Sequence, residues 1–268
     1  MALPDPAADS TALVTGASSG IGEAIARELA ERGHGLTLVA RREQRLRELG
    51  AELSGAGGVR TEVISADLGE AAERDRVASR VEELGLTVDI LVNNAGFGSA
   101  DDVARADRER LVEMVRVNCE ALLDLQVRYL REMVDRGRGA VINIASTAAF
   151  QPIPGTATYA ATKAFVLSLS EATHAEVSRD GVTVTAVCPG PVKTEFVGAA
   201  GLAAAEDNLP GMFWTDVADV AREAVDGAAK NRRVVVPGLM NRAGAITGQH
   251  APRALALPFI KRVWQRST

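Results

Sequence analysis

Seven short apolar runs alternate with stretches of helical periodicity along the chain, and this rhythm limits the fold more than any other feature of the sequence. The runs are Ala12–Thr15, Leu36–Ala40, Val59–Ile64, Asp89–Val92, Ala140–Ala145, Val182–Val187 and Arg233–Val236. Strands separated by helices line up parallel, with the helices covering both faces of the sheet. Segments such as LTLVA, VINIA and VTVTAV are apolar without clean alternation, as strands buried on both sides are. Right-handed crossovers then put a ligand crevice at the carboxyl ends of the strands. The expected architecture is α/β, a single doubly wound parallel sheet of seven strands. No Pro- or Ser-rich linker divides the chain, so residues 11–238 read as one domain that includes a substrate lid at 191–214. Residues 1–10 read as a flexible N-terminus, and 239–268 as a basic extension packing on the domain or on a subunit contact.

Composition excludes several classes. With 47% hydrophobic and 24% charged residues and a mean hydropathy of +0.04, the chain has the make-up of a soluble globular protein. Its net charge of -5 hides an asymmetry: Lys230–Thr268 holds eight Lys or Arg and no acid, which leaves about -13 on the rest. So acidic a body lacks the basic stripe that nucleic acid requires. The first ten residues show neither the basic start nor the apolar stretch of a secretory signal, so a cytoplasmic location is expected. The uncharged stretch Gly139–Thr162 is long enough to span a bilayer, but Asn143, Gln151, Pro152, Pro154 and Gly155 interrupt it, and it reads as core and loop. Cys119 and Cys188 form neither a disulfide framework nor a metal spacing, and His34, His174 and His250 are scattered, so no metal site is expected.

The first run ends in Thr15-Gly16-Ala17-Ser18-Ser19-Gly20-Ile21-Gly22 and enters the helical stretch Glu23–Arg32. At such a junction main-chain N–H groups and the helix dipole attract an anion, and glycines let a pyrophosphate approach the backbone. A tight strand-to-helix turn looks much the same, so the loop alone says little. Motifs further along the chain are more specific, and come in the order Asp67-Leu68, Asn93-Asn94-Ala95-Gly96, Asn118, Ser146, Tyr159-x-x-x-Lys163 and Pro189-Gly190. Together with the G-x-x-x-G-x-G spacing, these motifs resemble the short-chain dehydrogenase/reductase family in its shorter, single-domain branch. The likeness is strong over Ala12–Thr194 and weak beyond it. It implies a Rossmann-type sheet and an oxidoreductase that moves a hydride between a nicotinamide dinucleotide and a carbonyl or alcohol.

Tyr159 and Lys163 stand four apart in the helical stretch Thr158–Val177, one turn apart on one face. A carbonyl oxygen that gains negative charge needs a proton, and a tyrosine of pKa about 10 exchanges its proton poorly near neutrality. The Lys163 ammonium is expected to lower that pKa, a shift of two units corresponding to about 2.7 kcal/mol. Ser146 follows the fifth strand, where its hydroxyl is placed to bind the substrate oxygen. Asn118 falls within the apolar stripe Leu111, Val115, Leu122, Leu125 and Tyr129 of a helix expected over Asp107–Asp135, and a buried amide needs partners. By resemblance, Asn118 orders a water linked to the lysine, and Lys163 bonds the nicotinamide ribose. By resemblance too, Gly16, Ser18, Ser19, Gly20 and Ile21 form the cofactor loop, and Asp67, with Leu68 beside it, faces the adenine. Asn94, Ala95 and Gly96 line the cleft, while Pro189, Gly190, Val192 and Thr194 meet the nicotinamide and phosphates.

Dinucleotide folds that prefer NAD carry an acid at the end of the second strand, where it binds the ribose 2'-hydroxyl. Ala40 stands there, followed by Arg41 and Arg42, so NADP(H) is the expected cofactor, Arg41 pairing with its 2'-phosphate, and NAD(H) the second choice. Ala17, Ser18 and Ser19 add no cation within the turn. Phe196, Val197, Leu202, Leu209, Met212, Phe213 and Trp214 of the lid, with Phe97, Phe150 and Ile153, suggest a pocket for an apolar small-molecule carbonyl or alcohol. At the tail Phe259, Ile260, Val263 and Trp264 share a helical face opposite Lys261, Arg262, Gln265 and Arg266. Packing of that face is expected ahead of contact with an anionic membrane surface. The two long helices resemble the family's subunit-contact helices and imply a homodimer or homotetramer. The alternative from another class is an NADPH-binding regulator or scaffold of the same fold without turnover.

Overall fold

The computed structural model describes residues 3–199, 211–254, 257 and 258. Its first half runs β1 (Ser10–Thr15), α1 (Gly20–Glu31), β2 (Leu36–Ala40), α2 (Glu43–Gly57), β3 (Thr61–Ser65), α3 (Ala71–Glu83) and β4 (Thr87–Asn93). Then come α4 (Arg108–Val115), a π-helical turn (Arg116–Ala121), α5 (Leu122–Arg136), β5 (Gly139–Ile144), a 3-10 turn (Thr147–Phe150) and α6 (Ala157–Glu176). The chain continues through β6 (Val182–Val187), α7 (Glu195–Ala199), a second 3-10 turn (Gly211–Phe213), α8 (Val217–Ala229), β7 (Val234–Val235) and α9 (Leu239–His250). The strands form one parallel sheet in the order β3-β2-β1-β4-β5-β6-β7. Winding moves outward from β1 to β3 and returns to β4, so a crevice opens between the loops that leave β1 and β4.

Alternate strand residues feed opposite layers. Ala12, Val14, Leu36, Leu38, Ile90 and Val92 pack with Ile25 and Leu29 of α1 and with Ala224 and Val225 of α8. Leu13, Val39, Leu91 and Val141 pack on the other side with Val77 of α3 and Leu125, Tyr129 and Met133 of α5. β1 starts at Ser10, inside the stretch expected to be flexible, because the Thr87 N–H donates to Asp9 O at 2.8 Å and Leu3 packs against the core. Among the described residues no helix is long and apolar enough to cross a membrane. The tail residues Phe259–Trp264 and the lid residues Leu202 and Leu209 lie outside the described residues.

The single helix expected over Asp107–Asp135 is instead two α-helices joined by the π turn. An extra residue in that turn changes which side chains face inward. Val115, expected in the buried stripe, is 44% exposed, whereas Met114, Asn118 and Leu122 are buried. A buried polar seam then ties the sheet to α5 and α6. Asn93 Nδ2 donates to Asn143 Oδ1 (3.0 Å), and Asn143 Nδ2 to Gln126 Oε1 (2.6 Å) and Ser170 Oγ (2.9 Å). Gln126 Nε2 continues to Thr173 Oγ1 at 3.2 Å. Linked buried hydrogen bonds of this kind hold one arrangement and resist others. They set the helices that carry Tyr159 and Asn118 against the ends of β4 and β5.

Candidate active site

Two loops meet at the crevice. Gly16 has φ +65°, and a Cβ there would lie 2.7 Å from Asn94 Nδ2, so the position requires glycine on both counts. Asn94 Nδ2 donates to Thr15 O (3.0 Å) and Gly16 O (3.2 Å). Thr15 Oγ1 accepts from the main-chain N–H groups of Asn94 (2.9 Å) and Ala95 (3.0 Å) and donates to Val92 O (3.0 Å). One threonine and one asparagine thereby bolt the glycine turn to the loop after β4. Ser19 caps α1 in extended conformation with no side-chain bond to the helix, so its first-turn N–H groups have no capping side chain. Thr194 lies over this end, its Cγ2 3.3 Å from where a Gly20 Cβ would be. An uncapped helix start, a glycine too crowded for a side chain and a threonine beside it fit a pyrophosphate.

Ser146 follows β5 and caps the 3-10 turn, its Oγ accepting from the Ala148 N–H at 3.1 Å. It lies within hydrogen-bonding reach of the Tyr159 hydroxyl. Lys163 is buried, donates through Nζ to Ile144 O at 2.8 Å and sits 5.7 Å from the centre of the Tyr159 ring. The expectation that lysine lowers the tyrosine pKa is not met. Burial pushes Tyr159 up to about 12, with the Ser146 hydrogen bond pulling the other way. Burial likewise brings Lys163 down to about 8. Desolvation penalises the phenolate and the ammonium alike. Tyr159 is therefore a neutral phenol at neutral pH, a form able to give a proton.

Asn118, delivered inward by the π turn, is fully engaged. Its Oδ1 accepts from the Phe97 N–H (3.1 Å), and its Nδ2 donates to Phe97 O (3.0 Å) and Thr162 Oγ1 (3.1 Å). Thr162 in turn donates to Tyr159 O at 2.7 Å. The amide therefore joins the loop after β4 to the first turns of α6. This bracing part can stand beside the water-ordering part that the resemblance implied. Replacing Asn118 by Ala is expected to destabilise the fold by about 1–3 kcal/mol, since two Phe97 main-chain groups lose their partner. It is also expected to lower kcat more than it raises KM. Thermal melts and steady-state rates test both, and an unchanged kcat in a folded variant would remove Asn118 from the site.

At the outer edge of the crevice Arg41 is 68% exposed and lies 3.9 Å from both Asp67 and Glu113. Asp67 also accepts from the Gly69 N–H at 3.0 Å, closing the loop beyond β3. That loop is held from below by Arg74, whose buried guanidinium donates to Leu68 O (2.9 Å) and pairs with Glu120 (2.7 Å) and Asp124 (2.5 Å). Arg42, read in the sequence only as Arg41's neighbour, folds over the glycine turn. It donates to Ser18 Oγ (3.2 Å), Ser18 O (3.3 Å) and Ser19 Oγ (2.7 Å), and pairs with Glu195 at 2.8 Å.

On the far side, the Thr147 N–H bonds Pro189 O at 2.9 Å, and Val192 makes an isolated bridge with Thr215. Gly190 is packed onto Asn241 of α9, whose amide a Cβ would overlap. Asn241 is buried and donates to Phe213 O (3.2 Å), Thr215 Oγ1 (3.0 Å) and Pro237 O (3.2 Å). The sequence marked α9 only by its charge and carried no signal for this role. Gly96 lies against Asn118 Oδ1, which is 2.8 Å from where its Cβ would be. Phe196 of α7 leans over the site, its ring 5.6 Å from that of Tyr159. Burial pushes the Cys188 thiol up to about 12 and raises that of half-buried Cys119 as well, the opposite of what activates a thiolate. Among the described residues no cluster of His, Cys, Asp or Glu is arranged for a metal.

A doubly wound parallel sheet, with an uncapped glycine turn and a Ser, Tyr and Lys gathered at its carboxyl edge, places the chain among the dinucleotide-binding α/β proteins. It belongs to the short-chain dehydrogenase/reductase family, the short chain dehydrogenase model matching residues 10–204. It is 37% identical over 204 residues to sulfoacetaldehyde reductase 2 of Chromohalobacter salexigens, a match that covers 74% of this chain and 79% of that protein. Among solved structures it resembles a short-chain dehydrogenase from Sphingobium yanoikuyae in complex with NADPH, at 37% identity and TM-score 0.80 over 89% of this chain and 92% of that one. It also resembles the bulky-bulky ketone specific alcohol dehydrogenase from Comamonas testosteroni, at 30% identity and TM-score 0.75 over 96% and 94% of the two chains.

Proposed function

We propose that this protein is an NADP(H)-dependent oxidoreductase that interconverts a carbonyl and an alcohol on an apolar small molecule, with Tyr159 as general acid and base. The observation that carries this reading is the meeting of Ser146, Tyr159 and Lys163 beside the glycine turn. NADPH, when bound, supplies the hydride. Ser146 holds the substrate oxygen, and Tyr159 gives it a proton as negative charge develops there. Lys163, with its ammonium near the ring, stabilises the phenolate that remains until a proton returns from solvent. Oxidation of an alcohol uses the same groups in reverse and requires Tyr159 deprotonated, so it is favoured at high pH.

Arg41 and Arg42, with no acid at Ala40, support NADP(H) over NAD(H), and the Sphingobium neighbour is itself a complex with NADPH. Phe196 against the Tyr159 ring, with Phe97 and Phe150 in the loops that leave β4 and β5, supports an apolar substrate. The names of the relatives, from sulfoacetaldehyde to bulky-bulky ketones, leave that choice to the residues. Val112 and Val115 on α4, Leu123 and Val127 on α5 and Phe165 on α6 are exposed apolar side chains, and suit a subunit contact in a homodimer or homotetramer.

The test is a panel of ketones and aldehydes followed by NADPH absorbance, with NADH in parallel. Turnover is expected with NADPH favoured. Arg41→Asp should move the kcat/KM ratio toward NADH by about tenfold or more, since a hydrogen bond to a charged group is worth about 1.5–3 kcal/mol. NADPH binding without turnover on any carbonyl would favour a regulator of the same fold, and an unmoved ratio would remove Arg41 from the phosphate site.

A further inference from the structure

We propose that Glu195 limits the preference for the phosphorylated cofactor by competing with its 2'-phosphate for Arg42 and Arg45. The proposal rests on the NADP(H) reading above. A guanidinium has five N–H donors in a fixed fork. In Arg42, Nε is directed to Ser18 Oγ, Nη2 to Ser18 O and Ser19 Oγ, and Nη1 to Glu195 Oε2 at 2.8 Å. The fork is thus fixed on the glycine turn by one side, and the side left for an anion already holds a carboxylate. The second Glu195 oxygen lies 3.7 Å from Arg45 Nη2. Among the described residues Glu195 is the only carboxylate within ion-pair distance of Arg42 or Arg45. It comes from α7, far along the chain, and crosses the crevice to reach α2.

A phosphate monoester carries a charge of about -1.5 to -2 and exceeds a single carboxylate as a partner for two arginines. A cofactor with this group displaces Glu195 or is repelled by it, and loses affinity either way. A cofactor with a free 2'-hydroxyl leaves the pair in place and loses nothing. Glu195 therefore narrows the margin by which the phosphorylated cofactor is preferred.

Calorimetric titration with 2',5'-ADP, which carries the phosphate without a nicotinamide, and with 5'-ADP, which lacks it, tests this. In Glu195→Gln, binding of 2',5'-ADP is expected to tighten about two- to fivefold, the range of an exposed ion pair, with 5'-ADP unchanged. Raising salt to about 0.5 M should shrink the difference, as screening does for exposed charges. Glu195 is 57% exposed, so its replacement leaves the fold in place, and Glu195→Ala should act in the same direction. No change, or an equal change for both nucleotides, overturns the role of Glu195 while the NADP(H) reading stands. A wild-type protein that binds 2',5'-ADP no better than 5'-ADP overturns both.

Discussion

Replacing Tyr159 by Phe is expected to lower kcat about 100- to 10,000-fold, the range contributed by a positioned proton donor, while NADPH affinity changes less than about twofold. Phenylalanine keeps the ring that packs 5.6 Å from Phe196 and beside Lys163, and deletes only the hydroxyl that Ser146 contacts. The loss should therefore fall on the chemical step. A pH profile sharpens the test. With Tyr159 pushed up to about 12 by burial and Lys163 brought down to about 8, the phenol stays protonated through the mildly alkaline range, so any fall in the reduction rate near pH 8 should follow loss of the Lys163 ammonium. A Tyr159→Phe variant with activity within about tenfold of wild type would defeat the assignment, whatever the substrate.

The second large effect separates catalysis from stability at one position. Lys163 is buried and its pKa falls to about 8, so the folded protein releases a proton that the unfolded chain retains. Between about pH 8 and the ordinary lysine value near 10.4, stability therefore rises with pH. Below about pH 8 both states are charged, and the native one carries the whole desolvation cost. Lys163→Met removes that cost and leaves the Ile144 carbonyl without its 2.8 Å donor, a smaller loss. At about pH 7 a net gain on the order of 2 kcal/mol in unfolding free energy is expected, shrinking toward zero by about pH 10, along with loss of turnover. Denaturant unfolding at the two pH values measures it. A variant less stable than wild type near neutrality would show that Lys163 is held by attractions outweighing its burial.

The sheet was legible because fully buried strands announce themselves. β2 and β6 stand at their expected bounds, each buried on both faces and each following a glycine, Gly35 or Gly181. β7, at the edge, has a single neighbour and kept only two of its four expected residues. Motif order named residues that the fold brings to one crevice, but partners are three-dimensional facts. Nothing in Arg41-Arg42 says that the second arginine clasps Ser18 and Ser19, and nothing in α9 says that Asn241 will be buried under Gly190. The spacing of Tyr159 and Lys163 indicated proximity without revealing that both would be desolvated, and desolvation reversed the expected direction for the tyrosine. The π turn was hidden for a related reason. Helical periodicity assumes constant turns, and Val115 fits the stripe only if no residue is inserted after it.

That inserted residue has a consequence for how the gene can change. Removing any one of residues 119–121 would let the backbone close into ordinary α-helix, but everything upstream would rotate by about 100° relative to α5. Asn118 would leave Phe97 and Thr162, and Met114 would leave the core. Substitution at an exposed position such as Arg116 costs little, whereas a change in length costs the brace itself. In this stretch of the chain, a change in length disturbs more buried contacts than a change of one exposed side chain.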